Sequence, residues 1–337
     1  WAGRRWRLSF GGLGALLISF AGVLMLYPWF LLGEFVLGTG IAILQVTANP
    51  YTLLLGTQES ATSRLTLAQA FTSVGTVLAP FAGSVFMLSL LLAPSAFELQ
   101  GQGFSLQFLY LSLTFLWSGV LVLTYLFALP EGREPLLPGR EGGWFAPLKE
   151  RFVVMGVLGI SISTGVEVTI GSHLVKFLAD VDIMGVSLSA AGKFMVLFWL
   201  GFLLGRFLGS RILKKVAPEK VLLTQAMAGI VFTLFTVIFS GYLAALSVLV
   251  LGVCISVLFP VIFSVVLGGC RSNQSAVSGF LCMANIGGAL LPLMQGMLAD
   301  RFGVHRSFVL PLAPFLYIAY YSLYLRNRAA IAKDLVL

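Results

Sequence analysis

Charge is scarce in this chain. Of its 337 residues, 10% are Asp, Glu, Lys or Arg, against about 25% in a water-soluble domain, which needs them to keep its surface hydrated. Apolar residues make up 58% and the mean hydropathy is +0.99, so an ordinary soluble fold is excluded and a polytopic membrane protein is implied. Cysteine is equally sparse. Cys254, Cys270 and Cys282 form no CxxC pair, and two histidines cannot build a multi-histidine cluster, which argues against a disulfide framework or a zinc site. No metal and no organic cofactor is expected. The net charge of +8 does not point to nucleic acid, because a nucleic-acid binder gathers Lys and Arg along one face and here they stand in short clusters between apolar runs. A methionine start is also missing. The chain opens on Trp1 and its first methionine is Met25, so it reads as a fragment or a processed form in which no signal peptide can be recognised.

What the sequence has in abundance is apolar length. About 20 apolar residues cross a bilayer core, and backbone groups in lipid must be satisfied within the segment, so each long run reads as a helix. Ten runs meet the requirement: 8–28, 31–55, 65–92, 107–129, 152–177, 192–212, 220–240, 243–267, 277–299 and 307–325. The fold class is therefore all-α, embedded in a lipid bilayer. Cytoplasmic loops carry an excess of Lys and Arg, and alternate loops here differ in that way. All of the 21 basic residues except Lys176, Lys193, Arg301 and Arg306 fall on one side, which places both ends of the chain in the cytoplasm.

The longest polar stretch, around 131–148, separates four runs from six and reads as a cytoplasmic linker. It divides the chain into a partial N-terminal bundle (1–130) and a C-terminal six-helix bundle (149–329), followed by a tail (330–337). Corresponding features recur between the halves at an offset of about 210 residues: Asn49-Pro50 with Phe259-Pro260, and Gly75 before Pro80 with Gly287 before Pro292. Such recurrence is the mark of parallel-repeat transporters. Applied to the start of the second half, the offset leaves room for two further helices before Trp1, and so for a six-plus-six parent.

Polar groups inside a membrane are costly and mark a pathway, a site or a helix contact. Glu167 stands near the middle of its span, with Ser163 and Thr164 one turn before it and Gly171 one turn after. It is either a protonatable or sugar-binding carboxylate or an interhelical hydrogen-bonding group. Gln45 and Asn49 lie one turn apart ahead of Pro50 and offer amides to a polyhydroxylated ligand or to a neighbouring helix. Gln69 shares a face with Thr66, Ser73 and Thr76, where packing is the alternative for the hydroxyls. Asn285 is the most central polar group on a stripe with Ser278, Cys282, Pro292 and Gln295. Phe259 and Phe263 offer either a sugar-stacking surface or packing. Glu34 and the two histidines are read as interfacial or packed groups, without chemistry. Two loop patterns have a mechanical reading: GxxxDRxGxxR over Gly296, Asp300, Arg301, Gly303 and Arg306, and a basic turn over Gly205, Arg206, Gly209, Arg211, Lys214 and Lys215. Asp300, Arg301 and Arg206 are candidates for a conformational latch; topology and snorkelling are the alternative.

The stretches QVTANPYTLLLG (45–56), SRLTLAQAF (63–71), GVEVTIGSHLVKFL (165–178), GRFLGSRILKK (205–215), LFPVIFSVVL (258–267) and SGFLCMANIGGALLPLMQGMLAD (278–300) resemble the fucose and glucose/galactose permease group of the major facilitator superfamily. The likeness covers nearly the whole chain. Arg4 and Arg5 after Gly3 resemble the tail of the superfamily signature between its second and third helices. The resemblance implies the major facilitator fold, two six-helix bundles around a central cavity, with ten of twelve helices in this chain. It also implies a symporter importing a hexose by alternating access, with a proton or a sodium ion as coupling ion. A monomer in the bacterial cytoplasmic membrane is expected. Gln45 stands where fucose permeases have a glutamate and glucose/galactose members a glutamine; Gln69 matches the glutamine of LAQ; Thr72 stands where many members have asparagine; Glu167 matches the acid of GAEV. Gln45, Asn49, Gln69, Glu167 and Asn285 are the expected substrate contacts, and Glu167 the expected proton site. Two other classes stay open. One is a membrane enzyme acting on lipid-linked sugars, for which the spans carry no HExxH and no carboxylate pair; the other is a transporter-like sugar sensor.

Overall fold

The structure is a computed structural model. It describes residues 13–19, 27–92, 110–120, 122, 143–270 and 273–334, with the helix path alone for 79–92 and 329–334. Every regular element among these residues is helical. In chain order they are α1 (13–19), α2 (Tyr27–Leu54), α3 (Ala61–Leu92), α4 (Tyr110–Val120), α5 (Arg151–Ala179), α6 (Leu188–Ile212), α7 (Pro218–Ile238), α8 (Gly241–Ile255), α9 (Leu258–Gly269), α10 (Gln274–Met283), α11 (Gly287–Phe302), α12 (Val304–Ser307) and α13 (Leu312–Asp334).

Local chemistry sets many of the boundaries. Pro218 opens α7 at the position where its missing N–H costs nothing, Ser187 accepts from Ala190 N (3.3 Å) to cap α6, and Asn273 Oδ1 accepts from Ala276 N (3.1 Å) to cap α10. Gly303 closes α11 with φ of 88°, in a region that favours glycine. The glycine of the GxxxDRxGxxR pattern thus has a turn to make.

Seven spans among the described residues are long and apolar enough to cross a membrane: Tyr27–Leu54, Arg151–Ala179, Leu188–Ile212, Pro218–Ile238, Gly241–Gly269, Gln274–Phe302 and Val304–Arg328. The expected runs at 8–28 and 107–129 fall partly outside the described residues, and the run at 65–92 lies within the 32-residue α3. Two runs read as unbroken are interrupted. The run at 243–267 breaks at Ser256–Val257, four residues before Pro260, whose ring nitrogen has no hydrogen to return to the Ser256 carbonyl. The run at 277–299 passes through a 3-10 turn, Ala284–Ile286, just ahead of Gly287 and Gly288, two weak helix formers.

The chain divides into two compact units that do not follow the linker. One comprises residues 1–51 and 79–134; the other comprises residues 52–78 and 135–337. In the first, α1 crosses α2 at glycines: a Cβ on Gly14 would collide with the backbone of Leu37, and one on Gly33 with Ile18. Close backbone approach through small residues is the usual contact where lipid gives helices no hydrophobic reason to associate. In the second, α5 is the central helix and packs on α6, α9 and α11, while α7 joins α8 to α13. Most of α9 is buried, including every residue from Leu258 to Ser264. The first part of α3 belongs to this second unit.

Candidate functional site

Glycine contacts bring α5 and α11 together. A Cβ on Gly287 would strike the carbonyl of Ser161, and one on Gly165 would strike Leu291, so both positions require hydrogen. The approach sets Thr164 opposite Asn285, and the Thr164 hydroxyl donates to Asn285 Oδ1 at 3.1 Å. Asn285 itself sits in the 3-10 turn. Irregular backbone at membrane depth is tolerated where it is buried in protein or lines a cavity.

One turn beyond Thr164 stands Glu167, half-buried. Among the described residues its carboxylate has no hydrogen-bond partner, and the charge that acts on it is that of Arg206. A membrane-embedded carboxylate with accessible surface, beside a hydrogen-bonded hydroxyl–amide pair, is a place where an ion or a polyhydroxylated solute finds acceptors and donors together.

Arg206 lies in α6 behind a glycine row, Gly201, Gly205 and Gly209, that presses on Val253, Ser256 and Val257. It is 5% exposed. Its Nε donates to the Ser256 carbonyl at 3.0 Å, and its Nη1 donates to the Gln69 carbonyl at 3.0 Å and to Ser73 Oγ at 2.7 Å. The guanidinium also stands 4.2 Å from the centre of the Phe202 ring. One buried cation thus joins α6, the break between α8 and α9, and α3. Two further bonds tie the start of α3 to the same helices: Ser63 Oγ donates to Ser210 O (2.6 Å) and Ser264 Oγ to Thr62 Oγ1 (2.9 Å).

The expected site residues are therefore distributed as follows. Gln69, Glu167, Asn285 and Arg206 all lie in the unit formed by 52–78 and 135–337; Arg206 holds the Gln69 carbonyl, and Thr164, one turn from Glu167, holds Asn285. Gln45 and Asn49 lie one turn apart on the part of α2 that belongs to the other unit, Gln45 half-buried and Asn49 buried. Asp300 and Arg301 are exposed at the end of α11, with the Arg301 guanidinium 5.8 Å from the Phe302 ring centre. Phe259 and Phe263 stack on each other at 5.7 Å and are buried, which is packing. All three cysteines are buried and unbridged.

Three features escaped the sequence reading. Arg206, placed with the bases of the turn and named as a latch candidate, was not expected to be buried, and it stands more than a helical turn deeper than Arg211. Ser73, read as either site or packing, is an acceptor for a buried cation. Glu34 was given no chemistry, yet Tyr110 donates its hydroxyl to Glu34 Oε1 at 3.2 Å. No spacing rule signals that last pair, because the two residues are remote in sequence.

Helices of this length and apolarity around a polar cluster define a polytopic membrane protein. The comparisons agree: residues 2–292 match the Major Facilitator Superfamily, and the chain belongs to that superfamily, whose matching members here are transporters, not enzymes. It is 38% identical over 318 residues to a glucose/galactose transporter of Brucella abortus biovar 1 (strain 9-941), covering 94% of this chain and 76% of that one. Among solved structures it is similar to the Escherichia coli fucose:proton symporter, with a TM-score of 0.82, 26% identity, and 96% of this chain and 83% of that chain covered. It is also similar to a superfamily transporter solved in the outward conformation, with a TM-score of 0.80, 25% identity, and 96% and 82% covered.

Proposed function

We propose that the protein is a secondary active transporter that imports a hexose, of the glucose/galactose type, by alternating access coupled to a proton. The observation that carries the reading is Glu167: a mid-span carboxylate that keeps accessible surface and has no hydrogen bond to a described residue, one turn from the Thr164–Asn285 pair. A carboxylate held this way serves as a proton carrier, and the neighbouring hydroxyl and amide serve sugar hydroxyls. The similarity to a glucose/galactose transporter supports the substrate class, and that to a fucose:proton symporter supports a proton in preference to sodium.

In this reading Gln69, Glu167 and Asn285 contact sugar or ion, and Gln45 and Asn49 are assigned the same role from the sequence. Arg206, Asp300 and Arg301 act as conformational latches. The chain contributes ten spans of a six-plus-six arrangement, with a cytoplasmic linker at 131–148, and works as a monomer in the bacterial cytoplasmic membrane.

The test is uptake of labelled glucose, galactose and fucose into proteoliposomes under an imposed proton or sodium gradient. Glu167→Gln is expected to abolish gradient-driven accumulation while leaving exchange of internal for external hexose. Accumulation by Glu167→Gln at the parent rate removes Glu167 from coupling. Absence of hexose movement in the parent refutes the substrate class.

A further inference from the structure

Phe259 and Phe263, the rings expected to offer a sugar-stacking surface, are buried and stack on each other. A third aromatic is better placed. Trp199 lies near the middle of α6 and is half-buried. Its Cζ2 comes within 3.0 Å of the position that a Cβ on Gly171 would take, so the indole rests on α5 one turn beyond Glu167, on the same helix face. Phe198 and Phe202 meet it nearly perpendicularly, with ring centres at 5.1 Å and 5.7 Å, and both are buried. Perpendicular contacts of this kind hold the plane of the indole. Among the described residues no hydrogen bond engages its N–H.

The accessible part of this ring is not turned to lipid. Leu200, Leu204, Leu208 and Ile212, four residues apart and all exposed, form the aliphatic stripe that α6 presents outward. Trp199 points about 100° round the helix from Leu200. It stands seven residues, two turns, before the buried Arg206 and shares the face of that residue. From Thr164 to Gly171 the wall of α5 rises about 10 Å and carries, in order, the Thr164–Asn285 pair, the Glu167 carboxylate and the indole resting on Gly171. Hydrogen-bonding groups stand at one end and an apolar plate at the other. A pyranose has the matching parts, a rim of hydroxyls and a face of C–H groups.

We propose that Trp199 determines specificity at this site: its indole takes the C–H face of a hexopyranose whose hydroxyls are met by Glu167, Thr164 and Asn285, and it favours a sugar with an axial 4-hydroxyl. In such a ring the hydrogens on C3, C4 and C5 all lie on the face opposite that hydroxyl and form one continuous apolar patch. When the 4-hydroxyl is equatorial, the C4 hydrogen moves to the other face and the patch is broken. Galactose therefore covers the indole better than glucose does, and its 4-hydroxyl is directed away from the ring. Gly171 sets the position of the plate, because a side chain there would push the indole off α5. Resting on the hexose reading, this assignment adds the configuration that the site prefers.

The experiment compares galactose with glucose in the full chain, by tryptophan fluorescence in detergent for binding and by labelled sugar in proteoliposomes for uptake. The parent is expected to show a lower apparent KM for galactose than for glucose, and a fluorescence change with galactose that Trp199→Phe loses. Stacking on a ring shifts an equilibrium by roughly two- to tenfold. Trp199→Leu is therefore expected to raise the galactose KM by up to about tenfold and the glucose KM by about twofold or less, so that the two converge while the maximal rate holds. Gly171→Ala crowds the indole without removing it and is expected to narrow the KM ratio as well. An unchanged ratio in Trp199→Leu overturns the proposal and leaves hexose transport standing; a lower melting temperature with that unchanged ratio means that Trp199 serves packing alone. If Trp199→Leu does not fold, an unchanged ratio in Gly171→Ala overturns the proposal. A parent that favours glucose overturns it too. A parent that neither binds nor moves either sugar removes the hexose reading, and this proposal with it.

Discussion

Arg206 Nε donates to the backbone carbonyl of Ser256 at 3.0 Å, and that carbonyl is free because the residue four positions later is Pro260. Two features that are costly separately offset each other. Pro260, in the first turn of α9, brings no amide hydrogen to the Ser256 carbonyl and leaves it an orphan acceptor; a guanidinium inside a membrane needs acceptors. Gly205 permits the meeting, since any Cβ there would strike Ser256 Oγ.

Pro260→Ala restores an amide hydrogen that competes with Arg206 for the Ser256 carbonyl. Because Pro260 stands in the first turn of α9, where proline is tolerated, the replacement changes the helix itself little. The expected outcome is a melting temperature in detergent that is unchanged or higher, together with initial hexose uptake slowed about fivefold or more. A lower melting temperature with uptake at the parent rate would mean that Pro260 serves packing alone.

Thr164→Val keeps the shape of the side chain and deletes the hydroxyl that donates to Asn285 Oδ1. A net loss of about 1 kcal/mol corresponds to roughly fivefold in an equilibrium. The apparent KM for hexose is expected to rise by about that factor, with the amount of protein in the membrane unaltered. Saturation curves for the variant and the parent, measured side by side, decide the matter; superimposable curves would take Thr164 and Asn285 out of the site.

The sequence exposes the helices because lipid leaves the backbone one local solution, and apolar length reports it directly. Expected runs at 152–177 and 192–212 sit inside Arg151–Ala179 and Leu188–Ile212. Breaks inside spans were less legible. Pro260 was noticed as part of a repeat, yet its consequence appears only when a partner for the Ser256 carbonyl is found on another helix. Glu167 and Asn285 were legible as polar groups at membrane depth. Their link through Thr164 was not, because it depends on a helix crossing fixed by Gly165 and Gly287, and hydrophobic periodicity does not encode crossings. The burial of Arg206 was illegible for a related reason: a basic residue close to other bases reads as part of their turn, whereas the glycines before and after it draw it into the protein.

Gly287→Ala introduces a methyl group against the Ser161 carbonyl, a backbone atom that cannot rotate away. Overpacking of this kind costs about 1–3 kcal/mol, and it acts where α11 meets α5. The melting temperature is expected to fall by about 3–10 °C, with loss of hexose binding. Gly75→Ala is the comparison: no described neighbour lies within 4 Å of a Cβ at Gly75, so that variant should melt with the parent, even though sequence recurrence pairs Gly75 with Gly287. Equal melting of the two variants would show that the crossing adjusts.

Arg64 supplies the last prediction. The carbonyls at the end of a helix have no partner within it, and α2 ends at Leu54. Arg64, from the first turn of α3, reaches back to them: Nε donates to Thr52 O at 3.3 Å and Nη2 to Leu53 O at 2.7 Å, while Nη1 donates to Thr57 O at 2.8 Å and also to Ser60 Oγ. Gly56 gives the guanidinium room, since a Cβ there would stand 2.8 Å from Nη1. A planar fork with five donors can serve these acceptors at once, and an ammonium cannot. Arg64→Lys is therefore expected to behave like Arg64→Ala, each losing about 1–3 kcal/mol of local stability and becoming several-fold more sensitive to proteolysis between residues 55 and 60, without a change in the hexose preferred. If Arg64→Lys resists protease as the parent does, Arg64 contributes positive charge to the cytoplasmic face and nothing more.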